Sequence, residues 1–456
     1  MDHRENAIEF ARKNQIGALN ALKELVSIPS VSTFAANKGD MQRAAEWLAG
    51  QLKEMGAAPQ IFPTQGHPVV FGEIRAAKPD MPTVLIYGHY DVQPPDPLDL
   101  WKTSPYQPDV RDGNLYGRGS SDMKGQVVAC LQAVKAVLAQ GPSPVNIKFI
   151  LEGEEEIGSP NLPAFLREYK DLLACDLALN PDGGMISSEL PTIIYGLRGL
   201  AYFELWVTGP AHDLHSGMFG GVVHNPANAL CELIAGMHDA QGRITLPGFY
   251  DAVHPLSEEE RQQMKRLPMS VDFYREATGV PALHGEQNYS PAEQTGARPT
   301  LDVHGLLSGF VEEGKKTVIP AWAMAKISCR LVPNQQADEV HQSFLRYLTE
   351  NAPESIRWEL KYFGGGPAVM AELDLPEVRA FARALETVWG KQPLYKREGG
   401  SIPVVADMQQ ILGCPSVITG FGLPDDNIHA PNEKLHLATW YRGIEAIIHY
   451  LYLLAE

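Results

Sequence analysis

The spacing of hydrophobic residues divides the chain into segments of helical and of strand character. Between residues 5 and 26, and again over 40–55, apolar residues recur every three or four positions, which predicts amphipathic helices. Short apolar runs rich in β-branched residues predict strands at 69–74, 83–87 and 145–151. Because strands alternate with helices, we predict an α/β fold in which helices sandwich a mixed, largely parallel sheet.

The pattern changes after Arg198. The sequence now predicts half-exposed strands at 201–208, 299–303, 317–331 and 355–362, with helices after Asn225 and at 336–350. Residues 241–298 show no regular period and are predicted to be irregular. These features indicate a smaller, inserted α+β domain that ends at a glycine hinge, 364–366. The predicted domains are therefore 1–197 and 367–456, two segments of one domain, and 198–366, the insertion.

Composition and charge narrow the classes of function. The chain has 456 residues, is 44% hydrophobic and carries a net charge of −17, which is typical of a globular protein of two domains. So acidic a protein is not expected to bind nucleic acid or an anionic membrane. The five cysteines are far apart and form no Cys-x-x-Cys motif, and the first ten residues lack an apolar signal core. We therefore expect a cytoplasmic protein.

Four carboxylates crowd into five residues after the strand predicted at 145–151: Glu152, Glu154, Glu155 and Glu156. Like charges repel at this spacing. Two interpretations remain open at this point. The segment is either a solvated acidic loop, as most charge runs are, or it holds a cation that keeps the carboxylates ionised.

Other polar residues also follow predicted strands or lie in the loops that leave them. They are His89, Asp91, Asp122 and Asp182. The carboxyl ends of parallel strands form binding sites at one edge of a sheet. Taken singly, His89 and Asp182 could be ordinary turn residues, and Asp122 could cap the helix that follows it.

Taken together, these residues predict a metal centre. His89, Asp122, Glu156 and Asp182, with His429 available from the tail, offer imidazole and carboxylate ligands without thiolate, which suits zinc, manganese or cobalt. Five ligands exceed the usual need of one catalytic zinc. Two zinc ions bridged by one carboxylate would use all five and hold a hydroxide between them. Glu155 is then the candidate general base, and Asp91, two residues after His89, would orient its imidazole.

Several segments resemble the dinuclear zinc exopeptidases of the aminoacylase, carboxypeptidase G and acetylornithine deacetylase kind. These segments are 88–94 (GHYDVQP), 117–125 (GRGSSDMKG) and 154–159 (EEEIGS). Further motifs resemble the cytosolic carnosinase-type dipeptidases: 195–199 (YGLRG), 213–217 (DLHSG), 316–320 (KTVIP), 330–334 (RLVPN), 398–403 (EGGSIP) and 432–434 (NEK). Each motif alone is a weak signal, but their order along nearly the whole chain makes the resemblance specific.

The resemblance implies a role for each matching position. Asp122 would bridge the metals, His89 and Asp182 would complete one metal site, and Glu156 and His429 the other. Glu155 would be the general base. The Asp122–Met123 peptide is expected to be cis.

The resemblance also implies residues that bind the substrate. His215 would reach across a homodimer interface to polarise the scissile carbonyl, and Thr317 would reach across likewise. Arg330 would bind a substrate carboxylate, whereas the residue taken singly, in so acidic a protein, is expected to pair with surface carboxylates. Ser401 is a further candidate for substrate binding. The inserted domain would serve as a lid and dimerisation domain.

One departure from the family concerns the substrate. The carnosinase-type members have a His in the glycine-rich segment before the return to the catalytic domain, and this chain reads FGGGP at 363–367. The preferred hypothesis is a zinc metallopeptidase, a dipeptidase or carboxypeptidase that cleaves the amide next to a free C-terminal carboxylate. The alternatives are a deacylase of N-acyl or N-carbamoyl amino acids and, more remotely, an inactive metal-binding relative. No Gly-x-Ser-x-Gly motif supports a serine hydrolase, and the segment at 117–125 lacks the third glycine of a dinucleotide-binding loop.

Overall fold

The computed structural model describes residues 3–78, 80–400 and 402–456. Its strands are β1 (Gln60–Phe62), β2 (Val69–Ile74), β3 (Thr83–His89), β4 (Asp109–Arg111), β5 (Asn114–Tyr116), β6 (Asn146–Glu152), β7 (Leu177–Asn180), β8 (Thr192–Leu197), β9 (Gly199–Thr208), β10 (Leu214–His215), β11 (Thr300–Ser308), β12 (Val318–Ile319), β13 (Trp322–Leu331), β14 (Arg357–Gly366), β15 (Val369–Met370), β16 (Leu394–Glu398), β17 (Ser416–Ile418) and β18 (Lys434–His436).

The α-helices are α1 (His3–Lys13), α2 (Gln15–Val26), α3 (Lys38–Glu54), α4 (Lys124–Leu138), α5 (Leu162–Glu168), α6 (Lys170–Leu173), α7 (Ser216–Phe219), α8 (Pro226–Gly236), α9 (Glu258–Lys265), α10 (Val271–Thr278), α11 (Pro291–Gly296), α12 (Ala337–Asn351), α13 (Pro376–Trp389), α14 (Pro403–Asp407) and α15 (Leu437–Leu453). The chain divides into two compact units. The first comprises Met1–Tyr195, Ala371–Lys396 and Pro403–Glu456, and the second comprises Gly196–Met370 and Arg397–Ile402. Within the described part of the chain, none of the helices combines the length and the hydrophobicity of a transmembrane span.

The first unit is built on a mixed sheet with a parallel centre. Its strands run in the order β1-β2-β6-β3-β7-β17-β8. Strand β3 is parallel to both β6 and β7, and β7 is parallel to β17. Strand β2 pairs antiparallel with β6, and β8 pairs antiparallel with β17. The central strands β3, β6 and β7 are buried almost throughout, and α4 and α15 bury most of their residues against the same core. The predicted α/β class is confirmed.

The second unit is an antiparallel sheet with helices on one face. Its strands run in the order β11-β13-β9-β14. Buried and half-buried residues alternate along β9, as expected for a sheet that is covered on one side only. Phe203 of β9 and Phe344 of α12 lie in the buried cluster, with their ring centroids 5.0 Å apart. The sequence-based domain boundaries remain a prediction. The two compact units differ from them because residues 196–197, 367–370 and 397–402 belong to the second unit.

The prediction of irregular structure over 241–298 is wrong, because this segment contains α9, α10 and α11. Serine residues cap these helices, and Ser257 and Ser290 form capping boxes with Glu260 and Glu293. The Ser-x-x-Glu spacing was visible in the sequence. These helices are short and expose most of their residues, so their apolar period is weak.

Arginine and tyrosine side chains alternate through the same segment. Arg243 lies over the ring of Tyr250 at 4.4 Å, and Arg298 lies between Tyr250 at 5.3 Å and Tyr289 at 4.3 Å. Arg261 extends the series at 5.1 Å from Tyr289. Cation–π contacts of this kind stabilise a segment that contributes few aliphatic residues to the core. We call these five residues the Arg–Tyr stack.

The three glycines predicted to form a hinge instead belong to β14. The pairing with β9 shifts register between Tyr362 and Gly365. A Cβ on Gly365 would lie 2.0 Å from the backbone oxygen of Leu200, so glycine is required here for the close approach of two strands. Gly365 therefore serves the packing of the two strands.

Candidate metal centre

The predicted ligands of the first unit come from separate segments that end at one edge of the central sheet. His89 is the last residue of β3, Asp182 follows β7 by two residues, and Glu156 lies in the single 3₁₀ turn after β6. Asp122 belongs to the loop before α4, and His429 to the loop between β17 and β18. Because β3, β6 and β7 are parallel, their carboxyl ends meet at this edge.

The first cluster consists of His89, Asp122 and Asp182, whose potential ligand atoms all lie within 4.8 Å of one another. His89 Nε2 lies 3.1 Å from Asp122 Oδ1 and 3.6 Å from Asp182 Oδ1. The imidazole is fully buried. The backbone N–H of Asp182 donates to Asn180 Oδ1 at 2.9 Å, which holds the turn after β7.

The second cluster consists of Asp122, Glu156 and His429. His429 Nε2 lies 2.9 Å from Asp122 Oδ2 and 3.2 Å from Glu156 Oε2. Asp122 therefore belongs to both clusters and presents one oxygen to each histidine. It does not cap the following helix, because α4 begins at Lys124 with Met123 in the N-cap position. The peptide between Asp122 and Met123 is cis, as predicted.

Asp91 contacts both the imidazole and the acidic turn. Its main-chain oxygen is the hydrogen-bond partner of His89 Nδ1 at 3.1 Å, and its carboxylate Oδ1 lies 3.4 Å from the same nitrogen. Oδ1 also accepts the backbone N–H of Glu155 at 3.2 Å, and Oδ2 accepts the N–H of Glu156 at 3.0 Å. Asp91 is fully buried. Glu155 itself reaches toward the first cluster, with its Oε2 4.0 Å from His89 Nε2.

The four crowded carboxylates do not form a solvated loop. Glu152 is 2% exposed and accepts hydrogen bonds from Tyr87 (2.9 Å) and Ser159 (2.8 Å). Glu154 is 4% exposed and accepts from the backbone N–H of His67 and the side-chain amide of Asn161. Glu152 and Glu154 are therefore held by neighbouring protein groups outside the two clusters, whereas Glu155 and Glu156 face the clusters.

Without a cation, the buried carboxylates of the site are unfavourable in their ionised form. Burial, together with Asp182 and Glu156, raises the pKa of Glu155 to about 9, and burial also raises the pKa of Asp182. Hydrogen bonds to Asp122 and Glu156 raise the pKa of His429 to about 10. Divalent cations would reverse both effects, because they favour ionised carboxylates and neutral imidazoles. The donor set thus fits a pair of divalent ions.

Two residues near the centre were not predicted as site residues. The side-chain amide of Gln93 donates to Glu156 Oε2 at 2.9 Å. The carboxylate of Glu433 accepts the backbone N–H of Asp122 at 3.1 Å. Both residues occur inside motifs that were recognised in the sequence, but no local feature distinguishes them from neighbouring polar residues.

The predicted substrate-binding residues lie in the second unit. His215 is exposed and pairs with Val318, and the backbone N–H of Ser216 donates to the oxygen of Thr317 at 3.2 Å, so His215 and Thr317 lie close together. Arg330 is half-buried on β13, opposite Thr300 and Leu200. Ser401 lies outside the described residues.

Comparisons with known proteins give consistent matches over nearly the whole chain. Residues 85–453 match the family model "Peptidase family M20/M25/M40". The human Beta-Ala-His dipeptidase is 34% identical over 96% of this chain and 90% of its own length. The Cys-Gly metallodipeptidase DUG1 of Candida albicans is 32% identical over 95% of this chain and 94% of its own length. The crystal structure of an M20 family metallo-carboxypeptidase from Sulfolobus solfataricus superposes with a TM-score of 0.86 at 32% identity, covering 96% of this chain and 99% of that one.

Proposed function

This chain belongs to Peptidase family M20/M25/M40, and on that basis we propose that it hydrolyses dipeptides or short peptides with a free C-terminal carboxylate. The observation that carries the proposal is the position of Asp122, whose two carboxylate oxygens face His89 and His429 at 3.1 and 2.9 Å. The names of the similar dipeptidases from human and Candida albicans support this class of substrate.

Two divalent ions, zinc in the first instance with manganese or cobalt as substitutes, would complete the site. His89 and Asp182 would hold one ion, and Glu156 and His429 would hold the other. Asp122 would contribute to both sites. Carboxylate and imidazole donors without thiolate suit such ions. When bound, the ions would polarise the scissile carbonyl and lower the pKa of water held between them.

The chain's own residues would move the proton and fix the ligands. Glu155 would accept the proton of the attacking water at its carboxylate and pass it to the leaving amine, since it lies beside the clusters without being needed as a ligand. Asp91 would hold His89 Nδ1 as a donor, which leaves Nε2 as the ligand atom.

We propose further that the second unit contributes substrate contacts in a homodimer. His215 would donate to the scissile carbonyl, Thr317 would lie beside it, and Arg330 would bind the substrate carboxylate through its two-pronged guanidinium. Strand β11 lies at the end of its sheet and exposes Leu306 (58%) and Leu307 (44%), as expected of a surface that pairs with another chain. Ser401 remains a proposed substrate-binding residue. A cytoplasmic location also remains part of the proposal, because the widely spaced cysteines lead us to expect it.

Metal analysis combined with a substrate panel tests the proposal. We expect the purified protein to hydrolyse members of a dipeptide panel, to lose this activity in chelator and to regain it with zinc, manganese or cobalt. Hydrolysis confined to N-acyl or N-carbamoyl amino acids would instead favour the deacylase. Unchanged dipeptide hydrolysis in chelator would refute the metallopeptidase assignment, and metal binding without hydrolysis of either panel would indicate an inactive relative. Sedimentation that gives a fully active monomer would contradict the dimer.

A further inference from the structure

Glu433 is a fully buried carboxylate that the proposed reaction does not use. Its Oε1 accepts the backbone N–H groups of Ser121 (3.0 Å) and Asp122 (3.1 Å). Its Oε2 accepts the N–H of Gly119 (2.9 Å) and the guanidinium of Arg118 (2.8 Å). Four donors from a single loop therefore converge on one side chain from the distant tail of the chain.

The loop that carries Glu433 also carries His429 and adopts an unusual backbone conformation. Asn427, His429 and Asn432 have φ values of 54°, 60° and 61°, in the left-handed region. Asparagine tolerates this region, but His429 occupies it at a cost of about 1 kcal/mol or more. Such conformations persist only where the surrounding contacts over-determine them. The loop from 423 to 434 thus needs anchors to hold His429 in place.

The structure supplies these anchors on both sides of His429. Asp426 Oδ2 accepts the hydroxyl of Ser121 at 2.8 Å, and Asp426 Oδ1 accepts the ammonium of Lys434 at 3.0 Å. The side chain of Asn432 accepts the backbone N–H of Lys102 and donates to another backbone oxygen, both at 2.8 Å. Glu433 is the anchor with the most partners, and it bonds directly to the backbone of Asp122.

We propose that Glu433 is a positioning residue of the metal centre, which sets the affinity for divalent ions by fixing Asp122 and His429 relative to each other. This inference rests on the proposed function, since it requires that the two clusters bind metal. The physical reason is that two ligands on flexible loops lose conformational freedom when an ion binds, and a preformed arrangement removes that cost. Groups that orient metal ligands in this way contribute about ten- to hundredfold to metal affinity.

Cobalt titration of the full-length protein tests the inference, because the visible absorption of Co²⁺ reports the number and geometry of its ligands. Wild-type protein and Glu433→Gln are stripped of metal, checked for folding by circular dichroism and titrated with Co²⁺ against a competing chelator. We expect Glu433→Gln to bind Co²⁺ about ten- to hundredfold more weakly, with an altered spectrum. Wild-type affinity and an unchanged spectrum in this variant would overturn the inference, whereas failure of the wild-type protein to bind Co²⁺ would overturn the proposed function as well.

Two further variants separate positioning from stability. Glu286→Gln is the matched control, because Glu286 is also a buried partner of an arginine, bonding Arg298 at 2.7 and 2.9 Å, but belongs to the second unit. It should lower stability and leave Co²⁺ affinity and spectrum unchanged. Glu433→Asp keeps the charge beside Arg118 but withdraws it by one methylene, so it provides the readout if Glu433→Gln does not fold. A wild-type Co²⁺ spectrum and affinity in Glu433→Asp would show that Glu433 only neutralises Arg118, and would refute the positioning role.

Discussion

Replacing Glu155 by Gln should abolish turnover and, at the same time, stabilise the metal-free protein. Loss of the general base lowers turnover by about 10²–10⁴-fold. Metal content should be unchanged, because Glu155 is not among the proposed ligands. The effect on stability has the opposite sign, because the carboxylate is placed among other acidic groups for catalysis and is costly to bury without cations.

The magnitude of the stability gain follows from the pKa of Glu155. Burial, with Asp182 and Glu156 nearby, raises this pKa from 4.5 to about 9 in the metal-free fold. Between these values the unfolded chain is ionised while the folded protein keeps the proton, so stability falls by about 1.4 kcal/mol for each pH unit. Over the roughly 2.5 pH units from 4.5 to 7 the penalty is at most about 3 kcal/mol. Gln carries no such penalty, so the variant should gain about 2–3 kcal/mol at pH 7.

Urea denaturation of the chelated proteins at pH 5 and pH 8 measures this effect. The gain of Glu155→Gln over wild type should be small at pH 5 and larger at pH 8. Glu154→Gln is the matched control, because Glu154 already accepts hydrogen bonds from His67 and Asn161 and its replacement should give no gain. A Glu155→Gln protein that is no more stable than wild type at pH 8 would refute the electrostatic reasoning.

Three further predictions concern the ligand supports, the substrate and the second unit. Asp91→Asn places an amide opposite the N–H groups of Glu155 or Glu156 and should weaken zinc binding about ten- to hundredfold; chelator competition measures this, and wild-type affinity would remove Asp91 from the proposed role. Arg330→Lys loses the two-pronged contact and should raise KM for a dipeptide about tenfold or more, with little change for the C-terminally amidated dipeptide; equal effects on both would argue against carboxylate recognition. Phe344→Ala should lower the unfolding free energy by about 3–5 kcal/mol, since Phe344 is fully buried in the second unit; a loss below 1 kcal/mol in calorimetry or urea denaturation would contradict its place in that core.

The sequence was sufficient to predict those parts of the fold that have a strong local period. The buried strands β3 and β6 and the amphipathic helices α3 and α12 agree with the pattern to within a few residues. The helix predicted over 5–26 is interrupted at Asn14. Asparagine is a weak helix former, and the nearby Gly17 lowers the helical propensity further. Short strands such as β4, β5 and β16 were missed because three to five residues are too few to establish a period.

The candidate site was predictable in composition but not in arrangement. His89 and Asp182 could be predicted because each follows a strand that is recognisable in the sequence. Parallel strands place their carboxyl ends at the same edge of the sheet, so these residues were expected to lie together. His429 meets Asp122 across 307 residues of sequence, and that contact required the family resemblance, because no local period encodes it. The contributions of Gln93 and Glu433 depend on side-chain directions within irregular loops, which the sequence pattern does not specify.

The Arg–Tyr stack has a consequence for how the segment 241–298 opens. Tyr250, Tyr289 and Arg298 each contact two neighbours in the series, and the ion pairs Arg261–Glu293 and Arg298–Glu286 add further links within the same segment. The segment should therefore lose its protection against amide hydrogen exchange as a single cooperative block instead of fraying helix by helix. Its resistance to proteases would then depend on these shared side-chain contacts more than on the summed stability of three short helices.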